Sequence, residues 1–207
     1  HPEAAAPPHY SLAAIRKGAA MIRLDRVSKS FNGLPVFSGL SLMVHPGEVV
    51  GLVGPSGAGK TTLLRLIAGL THPDSGIVTT AGSRLSYVFQ EARLLPWRTA
   101  LENVVVALRA AGFNQADARN EARLWLKRVG LAQFADYYPA QLSGGMQQRV
   151  ALARAFAVQP DMLLLDEPFS HLDDSHKQEL RDILRRLIRE TGVTVVYVTH
   201  ALPELDG

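Results

Sequence analysis

The chain has 207 residues, of which 47% are hydrophobic and 20% charged, proportions that are ordinary for a folded globular protein. Cysteine is absent, which excludes disulfide bonds, thiolate metal sites and a cysteine nucleophile. The formal net charge is +3, but the basic residues are scattered, so we expect no nucleic-acid partner. No apolar run approaches the ~20 residues that a membrane-spanning helix needs.

The first 20 residues differ in composition from the rest of the chain. They are rich in alanine and proline, and Arg16 and Lys17 lie near their end, whereas a secretory signal carries its charge before an apolar stretch. A strand-like pattern starts directly after Met21. We therefore expect residues 1–20 to be a disordered leader or a tag remnant, and residues 21–207 to form one folded domain.

Strand-like and helix-like segments alternate along the remainder of the chain. Apolar or alternating runs predict strands at residues 22–27, 36–44, 49–53, 85–89, 162–165 and 193–198. Helical spacing predicts helices at residues 61–70, 116–129, 143–158 and 175–190. Residues 49–53 are apolar throughout, which predicts a strand buried on both faces, whereas residues 74–84 predict turns. The alternation indicates an α/β fold with a largely parallel sheet, and residues 91–145 are helix-rich.

A glycine-rich loop follows the third predicted strand and reads Gly-Pro-Ser-Gly-Ala-Gly-Lys-Thr over residues 54–61. It matches the phosphate-binding pattern in which glycines let backbone N–H groups converge on phosphate oxygens, at the positive end of a helix dipole. Lys60 supplies a charge for the β- and γ-phosphates, and the Thr61 hydroxyl is a hard ligand for Mg²⁺. The nucleotide-binding residues predicted from this loop are Gly54, Ser56, Gly57, Ala58, Gly59, Lys60, Thr61 and Thr62.

An acidic pair ends the strand predicted at residues 162–165. Asp166 can hold Mg²⁺ directly or through water, and Glu167 can orient and deprotonate an attacking water. A strand end that meets solvent is the ordinary alternative for such a pair. The phosphate loop in the same chain favours nucleotide chemistry, so ATP and Mg²⁺ are the predicted ligands.

Residues 142–149 precede that strand and read Leu-Ser-Gly-Gly-Met-Gln-Gln-Arg. They resemble the signature motif of ABC-transporter ATPases. Ser143 can cap a helix, and the N–H groups of Gly144 and Gly145 at its start form a second anion-binding site. The resemblance implies that these three residues close over the γ-phosphate held by a second copy of the chain. An ordinary helix cap is the alternative.

Further residues stand in the order of the family's motifs. The resemblance implies that Gln90 senses Mg²⁺ and the attacking water, that His200 contacts the γ-phosphate, and that Phe31 stacks on adenine. A structural histidine and a core phenylalanine are the alternatives for the last two. Residues 170–173 resemble a loop that crosses the dimer interface, with His171 in place of the usual small residue.

The resemblance implies a P-loop NTPase of ABC type, with a mainly parallel sheet core, an antiparallel β subdomain and a helical subdomain at about residues 91–145. The stretch at residues 76–85 is shorter than in most relatives, so we expect a trimmed strand or loop there. The chain ends soon after His200, which fits either a compact variant or a truncation.

Residues 94–99, Leu-Leu-Pro-Trp-Arg-Thr, resemble the ATPases of nitrate, sulfonate and taurine importers. In ABC systems this region receives a helix of the membrane subunit, so the apolar side chains within residues 90–97 predict a permease interface. Packing inside the helical subdomain is the alternative for these side chains.

The resemblance therefore implies an ATP-hydrolysing subunit of an importer, peripheral on the cytoplasmic face of the membrane. Its expected partners are permease subunits, a second copy of itself and, indirectly, a periplasmic or extracellular solute-binding protein. A soluble ABC ATPase of repair or translation usually carries a long coiled-coil insertion or a second cassette, for which this chain has no room. Glu167 and His200 argue against a regulatory module without turnover.

Overall fold

The computed structural model describes residues 19–55, 57–82, 84–170 and 172–199. The strands are β1 (Ile22–Phe31), β2 (Leu34–Val44), β3 (Val49–Val53), β4 (Ser75–Thr80), β5 (Leu85–Val88), β6 (Met162–Asp166) and β7 (Thr194–Thr199). The α-helices are α1 (Lys60–Ile67), α2 (Ala100–Ala110), α3 (Gln115–Arg128), α4 (Gly144–Ala157) and α5 (Asp174–Thr191). Short 3₁₀ helices lie at Ala132–Phe134 and Pro139–Gln141. The predicted α/β class is confirmed.

Four strands form a parallel sheet in the order β3-β7-β6-β5. Successive side chains of a strand point to opposite faces, so Leu163 and Leu165 of β6 lie on one face and Met162 and Leu164 on the other. The first face belongs to the core built with α4 and α5, and the second to the core built with α1. Both β6 and β7 are buried along their whole length, as predicted.

Strand β3 is an edge of this sheet in the part of the chain that the structure describes. It pairs there with β7, and both Val49 and Val53 are exposed. The prediction that β3 is buried on both faces is therefore wrong. An apolar run identifies a strand, but whether that strand lies in the centre or at the edge of a sheet depends on partner strands far along the chain. The carboxyl end of β3 leads directly into the glycine-rich loop and α1.

A second sheet is antiparallel and has the order β2-β1-β4. Strand β4 lies where residues 74–84 predicted turns, so that prediction is wrong. The pattern is hard to read because Gly76 interrupts it at φ 84°, and its missing side chain lets the backbone approach the Arg26 carbonyl. The strand forms by pairing with β1, with Ile22 opposite Thr80. The sheet confirms the antiparallel part of the expected fold.

A core of aliphatic side chains fills the space between the antiparallel sheet, α1 and one face of the parallel sheet. From α1 it receives Leu63, Leu64, Leu66 and Ile67. The helix ends at Ile67, with Ala68 as its C-cap, so the prediction that it continues to residue 70 is wrong. Leu70, which was expected on the buried side of the helix, is exposed.

Helices α2 and α3 lie between β5 and α4 in the chain and pack on the larger of the two cores. Helix α2 begins with a capping box in which Thr99 and Glu102 exchange side-chain-to-backbone hydrogen bonds. Helix α3 buries Trp125, whose ring stacks on Phe156 of α4 with the centroids 6.0 Å apart. None of the helices in the described ranges is long and apolar enough to cross a bilayer. The division of residues 91–145 into a separate subdomain stays a prediction.

Candidate functional site

The glycine-rich loop is shaped by its lysine and by the close approach of β2. Lys60 Nζ donates to the carbonyl oxygens of Gly54 at 2.6 Å and Pro55 at 2.8 Å, so the ammonium lies on the loop. Gly59 has φ 84°, and a Cβ there would contact Val36 and lie 2.9 Å from Phe37 Cζ. A glycine is therefore required at residue 59 both by backbone conformation and by space.

A cleft of about 450 Å³ opens beside this loop. It is lined by Phe31, Val36, Gly57, Gly59, Lys60, Thr61, Thr62, Gln90 and Glu167. All of these except Val36 are residues predicted to bind or act on the nucleotide. The sequence separates them by more than a hundred residues, and the fold brings them to one concave surface. Gly54 and Ala58 shape the loop through the Lys60 contact and through the Ala58 N–H, which donates to the Pro55 carbonyl at 3.2 Å.

Phe31 lies at the end of β1, where the strand leaves the antiparallel sheet. Its side chain is 49% exposed and lines the cleft, and Lys29 Nζ lies 5.3 Å from its ring centroid. This exposure disagrees with the alternative of a core phenylalanine. An exposed aromatic face beside a phosphate loop is suited to stacking on a planar base.

The carboxylate of Asp166, at the end of β6, accepts hydrogen bonds from one residue of α1 and one of β5. Thr61 Oγ1 donates to Asp166 Oδ1 at 2.9 Å, and the Tyr87 hydroxyl donates to Oδ2 at 3.0 Å. Burial, followed by the negative charge of Asp166, raises the pKa of Tyr87 well above its usual range. Tyr87 therefore stays protonated and remains a donor at neutral pH.

Sequence reasoning missed Tyr87. The signal lies in sheet pairing: β5 runs parallel to β6 with Tyr87 opposite Leu164, which brings the ring near the end of β6. The hydroxyl of Thr61 and the carboxylate of Asp166 are adjacent hard oxygens, the donor type that Mg²⁺ prefers. This donor set fits a bound magnesium ion, with Gln90 in the same cleft.

Glu167 has an unusual backbone conformation. Its φ is 47°, which is uncommon for a residue with a side chain, and its N–H donates to the Val198 carbonyl of β7 at 3.2 Å. Its own carbonyl accepts from the Ser170 N–H at 3.2 Å and from Ser170 Oγ at 3.0 Å. These contacts hold a strained residue that faces the cleft, an arrangement typical of functional positions.

Gln90 lies just after β5, and its backbone is fixed by a buried side chain of α4. Gln148 Nε2 donates to the carbonyl oxygens of Phe89 and Gln90, each at 3.1 Å, and of Pro168 at 3.2 Å. Gln148 was not singled out from the sequence, where it reads as one of two neighbouring glutamines. It joins the segment that carries Gln90 to the segment that follows Glu167.

The signature-like residues lie at the N-terminus of α4 and do not line the cleft. Ser143 Oγ accepts from the Met146 N–H at 3.3 Å, so the predicted helix cap is observed. A Cβ on Gly144 would touch Leu172, and one on Gly145 would lie 3.3 Å from the His176 ring. The cap geometry is compatible with a further role in binding anions, because the first N–H groups of the helix point outward from its start.

The segment at residues 94–97 is split between core and surface. Leu94 packs against the larger core, which agrees with the alternative for that residue, whereas Trp97 is 69% exposed. Buried Asn103 holds the segment: its Oδ1 accepts from the Leu95 N–H at 2.7 Å, and its Nδ2 donates to the Leu95 and Arg98 carbonyls, at 3.2 and 3.1 Å. The exposed tryptophan is thus presented by an ordered loop.

Several predicted residues lie outside the described ranges. These are Ser56, His171, His200 and the segments at residues 1–18 and 200–207. The roles predicted for Ser56 and His200, and the expectations for the leader and the chain end, stay predictions.

The fold and the cleft define a P-loop ATPase of ABC type, and comparison with known proteins agrees. Residues 37–170, more than half of the chain, match the family model described as ABC transporter. The chain therefore belongs to the ABC transporter family as an ABC ATPase domain.

Among curated relatives, the chain is 45% identical over 199 residues to the Fe(3+) ions import ATP-binding protein FbpC of Brucella abortus, covering 91% of this chain and 56% of the relative. It is 46% identical to the sulfate/thiosulfate import ATP-binding protein CysA of Vibrio cholerae, with 86% and 51% covered. It is 41% identical to the taurine import ATP-binding protein TauB of Yersinia pestis, with 89% and 75% covered. The chain thus spans about half the length of the first two relatives.

Among solved structures, the chain resembles the ATP-binding cassette MJ0796, described as dimeric and in a post-hydrolysis state bound to ADP and Pi. The TM-score is 0.78 at 34% identity, with 89% of this chain and 90% of that chain covered. The likeness covers most of both chains, so it supports the ABC ATPase fold.

Proposed function

We propose that this chain binds ATP with Mg²⁺ in the cleft beside the glycine-rich loop and hydrolyses it to power import of a small solute. The observation that carries the proposal is the convergence of Phe31, Lys60, Thr61, Gln90 and Glu167 on one cleft. Phe31 offers an aromatic face for the base, Lys60 a positive charge for the phosphates, and Thr61 a ligand for the metal. Gln90 offers a polar group near the metal and the water, and Glu167 a base.

Magnesium would be held by Thr61 and Asp166, with Gln90 close by. When bound, the ion supplies charge that stabilises the transferred phosphoryl group and its leaving oxygen. The chain's own contribution is to keep the two oxygens adjacent, since Thr61 already donates to Asp166 at 2.9 Å. Tyr87 holds the second oxygen of that carboxylate and limits its rotation.

Glu167 is the proposed base that orients and deprotonates the attacking water, because it lines the cleft directly after the end of β6. Gln90 is proposed to position the same water, and His200 to contact the γ-phosphate. Phe31 is proposed to stack on adenine, and the loop residues Gly54, Ser56, Gly57, Ala58, Gly59 and Thr62 to hold the phosphates.

We propose that Ser143, Gly144 and Gly145 act on the ATP of a second copy. They lie outside the cleft of their own chain, and a helix N-terminus with two glycines suits contact with phosphate. The solved cassette MJ0796, described as dimeric, supports pairing of two copies by likeness. Two copies would bind ATP between them, close, hydrolyse it and open.

The import direction is supported by relatives named for iron, sulfate or thiosulfate, and taurine import. The run at residues 94–99 favours nitrate, sulfonate or taurine among such solutes. Residues 90–97, with exposed Trp97, are the proposed contact with a permease on the cytoplasmic face of the membrane, and a solute-binding protein would act on the other face. We propose the helical subdomain at about residues 91–145 as the part that carries this contact.

ATP binding tests the first part of the proposal. Lys60→Ala removes the charge aimed at the phosphates, and we expect affinity for ATP to fall by ~10–100-fold, the loss of one hydrogen bond to a charged group. Lys127→Ala, an exposed lysine of α3, is the matched control and should leave affinity unchanged. Equal affinity for the two variants would contradict the cleft as the nucleotide site.

Co-purification tests the second part. The chain is co-expressed with candidate permease subunits, and the complex is captured through the permease. We expect Trp97→Ala to weaken capture because an exposed aromatic is a common anchor of an interface. Leu124→Ala removes another exposed apolar side chain, on α3, and should leave capture unchanged. Equal capture of Trp97→Ala and the parent would count against this contact.

A further inference from the structure

Helix α4 holds the backbone of the segment around Gln90 at two places. At the first, Gln148 Nε2 donates to the carbonyl oxygens of Phe89 and Gln90. At the second, the Arg154 guanidinium donates to the carbonyl oxygens of residues 92 and 93, at 2.9 and 3.0 Å. Four carbonyl groups within five consecutive residues are therefore bound by two side chains of one helix.

The orientation of the Gln148 amide is determined by its surroundings. The side chain is buried, three carbonyl oxygens converge on its Nε2, and its Oε1 has no hydrogen-bond partner among the described residues. A flipped amide would place Oε1 against those three oxygens, which is electrostatically unfavourable. An unpaired buried oxygen destabilises the fold, so packing alone would favour an apolar residue here. The amide is explained by the carbonyl groups it binds.

Arg93 shows that this segment is constrained. Its φ is 44°, and its guanidinium carbon lies 4.0 Å from the ring centroid of Phe89, so the side chain folds back over the preceding strand end. Arg154 binds the carbonyl group of this strained residue directly. The segment is therefore a constrained loop whose backbone is held by α4.

The same segment continues to the exposed Trp97, and its other end is held by Asn103 of α2. Gln90 lines the cleft at one end, Trp97 is exposed toward the other, and α4 carries Ser143 at its start. Neither Gln148 nor Arg154 lines the cleft in the part of the chain that is described. They contact the backbone between the two sites.

We propose that Gln148 and Arg154 are positioning residues that fix the Gln90 segment to α4, so that nucleotide binding and Trp97 respond to one another. This inference rests on the proposed ATP site. A displacement of Gln90 toward bound nucleotide would move α4, and with it Ser143, because Gln148 and Arg154 bind the backbone carbonyl groups of this segment. The same attachments carry the displacement along the segment to Trp97.

The two tryptophans make the response measurable, because Trp97 is 69% exposed and Trp125 only 3%. Acrylamide quenches the fluorescence of exposed tryptophan, so an ATP-induced change in quenching reports on Trp97. The whole chain is used in a Glu167→Gln background, so that ATP is not consumed. ATP affinity is measured on the same samples by equilibrium dialysis.

Gln148→Met and Arg154→Met remove the donors while keeping much of the side-chain volume. We expect both to bind ATP within about threefold of the parent, since neither residue touches the cleft, but to lose the ATP-induced change at Trp97. Gln147→Met is the matched control. Gln147 is adjacent on α4 and also donates to two carbonyl groups, those of Pro139 and Leu142, but none of them is in the Gln90 segment. It should keep the full response.

Arg154→Lys keeps the charge and one or more donors, so we expect it to recover part of the response that Arg154→Met loses. A full response in folded Gln148→Met and Arg154→Met would overturn the inference, and so would no recovery in a folded Arg154→Lys. A parent that binds ATP without any change at Trp97 would overturn it as well. A parent that fails to bind ATP would instead overturn the proposed function.

Discussion

The hydroxyl of Tyr87 offers a small perturbation with a calculable effect. It donates to Asp166 Oδ2 at 3.0 Å, while the ring stacks on Phe89 with the centroids 4.3 Å apart. Tyr87→Phe keeps the ring and its stacking and deletes only this donor. Because Asp166 is 7% exposed, the oxygen that loses its partner is poorly placed to find water instead.

The expected magnitude follows from the charge on the acceptor. A hydrogen bond to an ionised group contributes ~1.5–3 kcal/mol, so the free energy of unfolding should fall by about that amount. For a domain of 150–250 residues, 1 kcal/mol shifts the melting temperature by ~2–4 °C. We therefore expect Tyr87→Phe to melt ~3–12 °C below the parent at neutral pH.

Thermal unfolding followed by circular dichroism measures this shift. Tyr137→Phe is the matched control, since Tyr137 is exposed and its ring meets Phe134 edge to face without need of the hydroxyl. A surface substitution of this kind should change stability by less than ~0.5 kcal/mol. If Tyr87→Phe melts within a degree or so of Tyr137→Phe, the Tyr87–Asp166 bond does not stabilise the fold as argued.

Two further predictions concern Asp74, which binds β1, and Gly59 of the glycine-rich loop. Hydrogen bonds, chiefly from Lys29, lower the pKa of Asp74 from 3.8 to about 2. The stabilising effect of Asp74 is therefore present above pH 3.8 and is lost as pH falls toward about 2. In urea unfolding, the difference in free energy of unfolding between the parent and Asp74→Asn should shrink over that range, and a constant difference would contradict the prediction. Gly59→Ala should abolish ATP binding in a dialysis assay because its Cβ would collide with β2. Gly112→Ala has a similar positive φ in open space and should bind normally; equal binding by both variants would refute the steric argument.

Local pattern predicted the elements whose signal lies in their own consecutive residues. Helix α4 begins after Ser143 because that side chain caps it, and β6 is apolar because both of its faces are covered. The missed features depend on distant pairing. Strand β4 exists through its register with β1, and the edge position of β3 depends on which strands flank β7.

The same distinction applies to the site. The loop residues and the pair Asp166–Glu167 are recognisable because the residues that act together are adjacent in the sequence. Tyr87 and Gln148 are not recognisable in this way. Tyr87 donates to Asp166 on the neighbouring parallel strand. Gln148 donates to the carbonyl group of Phe89, which is 59 residues away in the chain.

The most direct measurement of the central claim is phosphate release from Mg-ATP by the parent and Glu167→Gln, with sedimentation of the same samples. We expect Glu167→Gln to bind ATP, to sediment as a dimer and to release phosphate ~10²–10⁴-fold more slowly, the usual contribution of a positioned base. Glu190→Gln, remote on α5, should hydrolyse like the parent. Hydrolysis by Glu167→Gln at the parent rate would contradict the account.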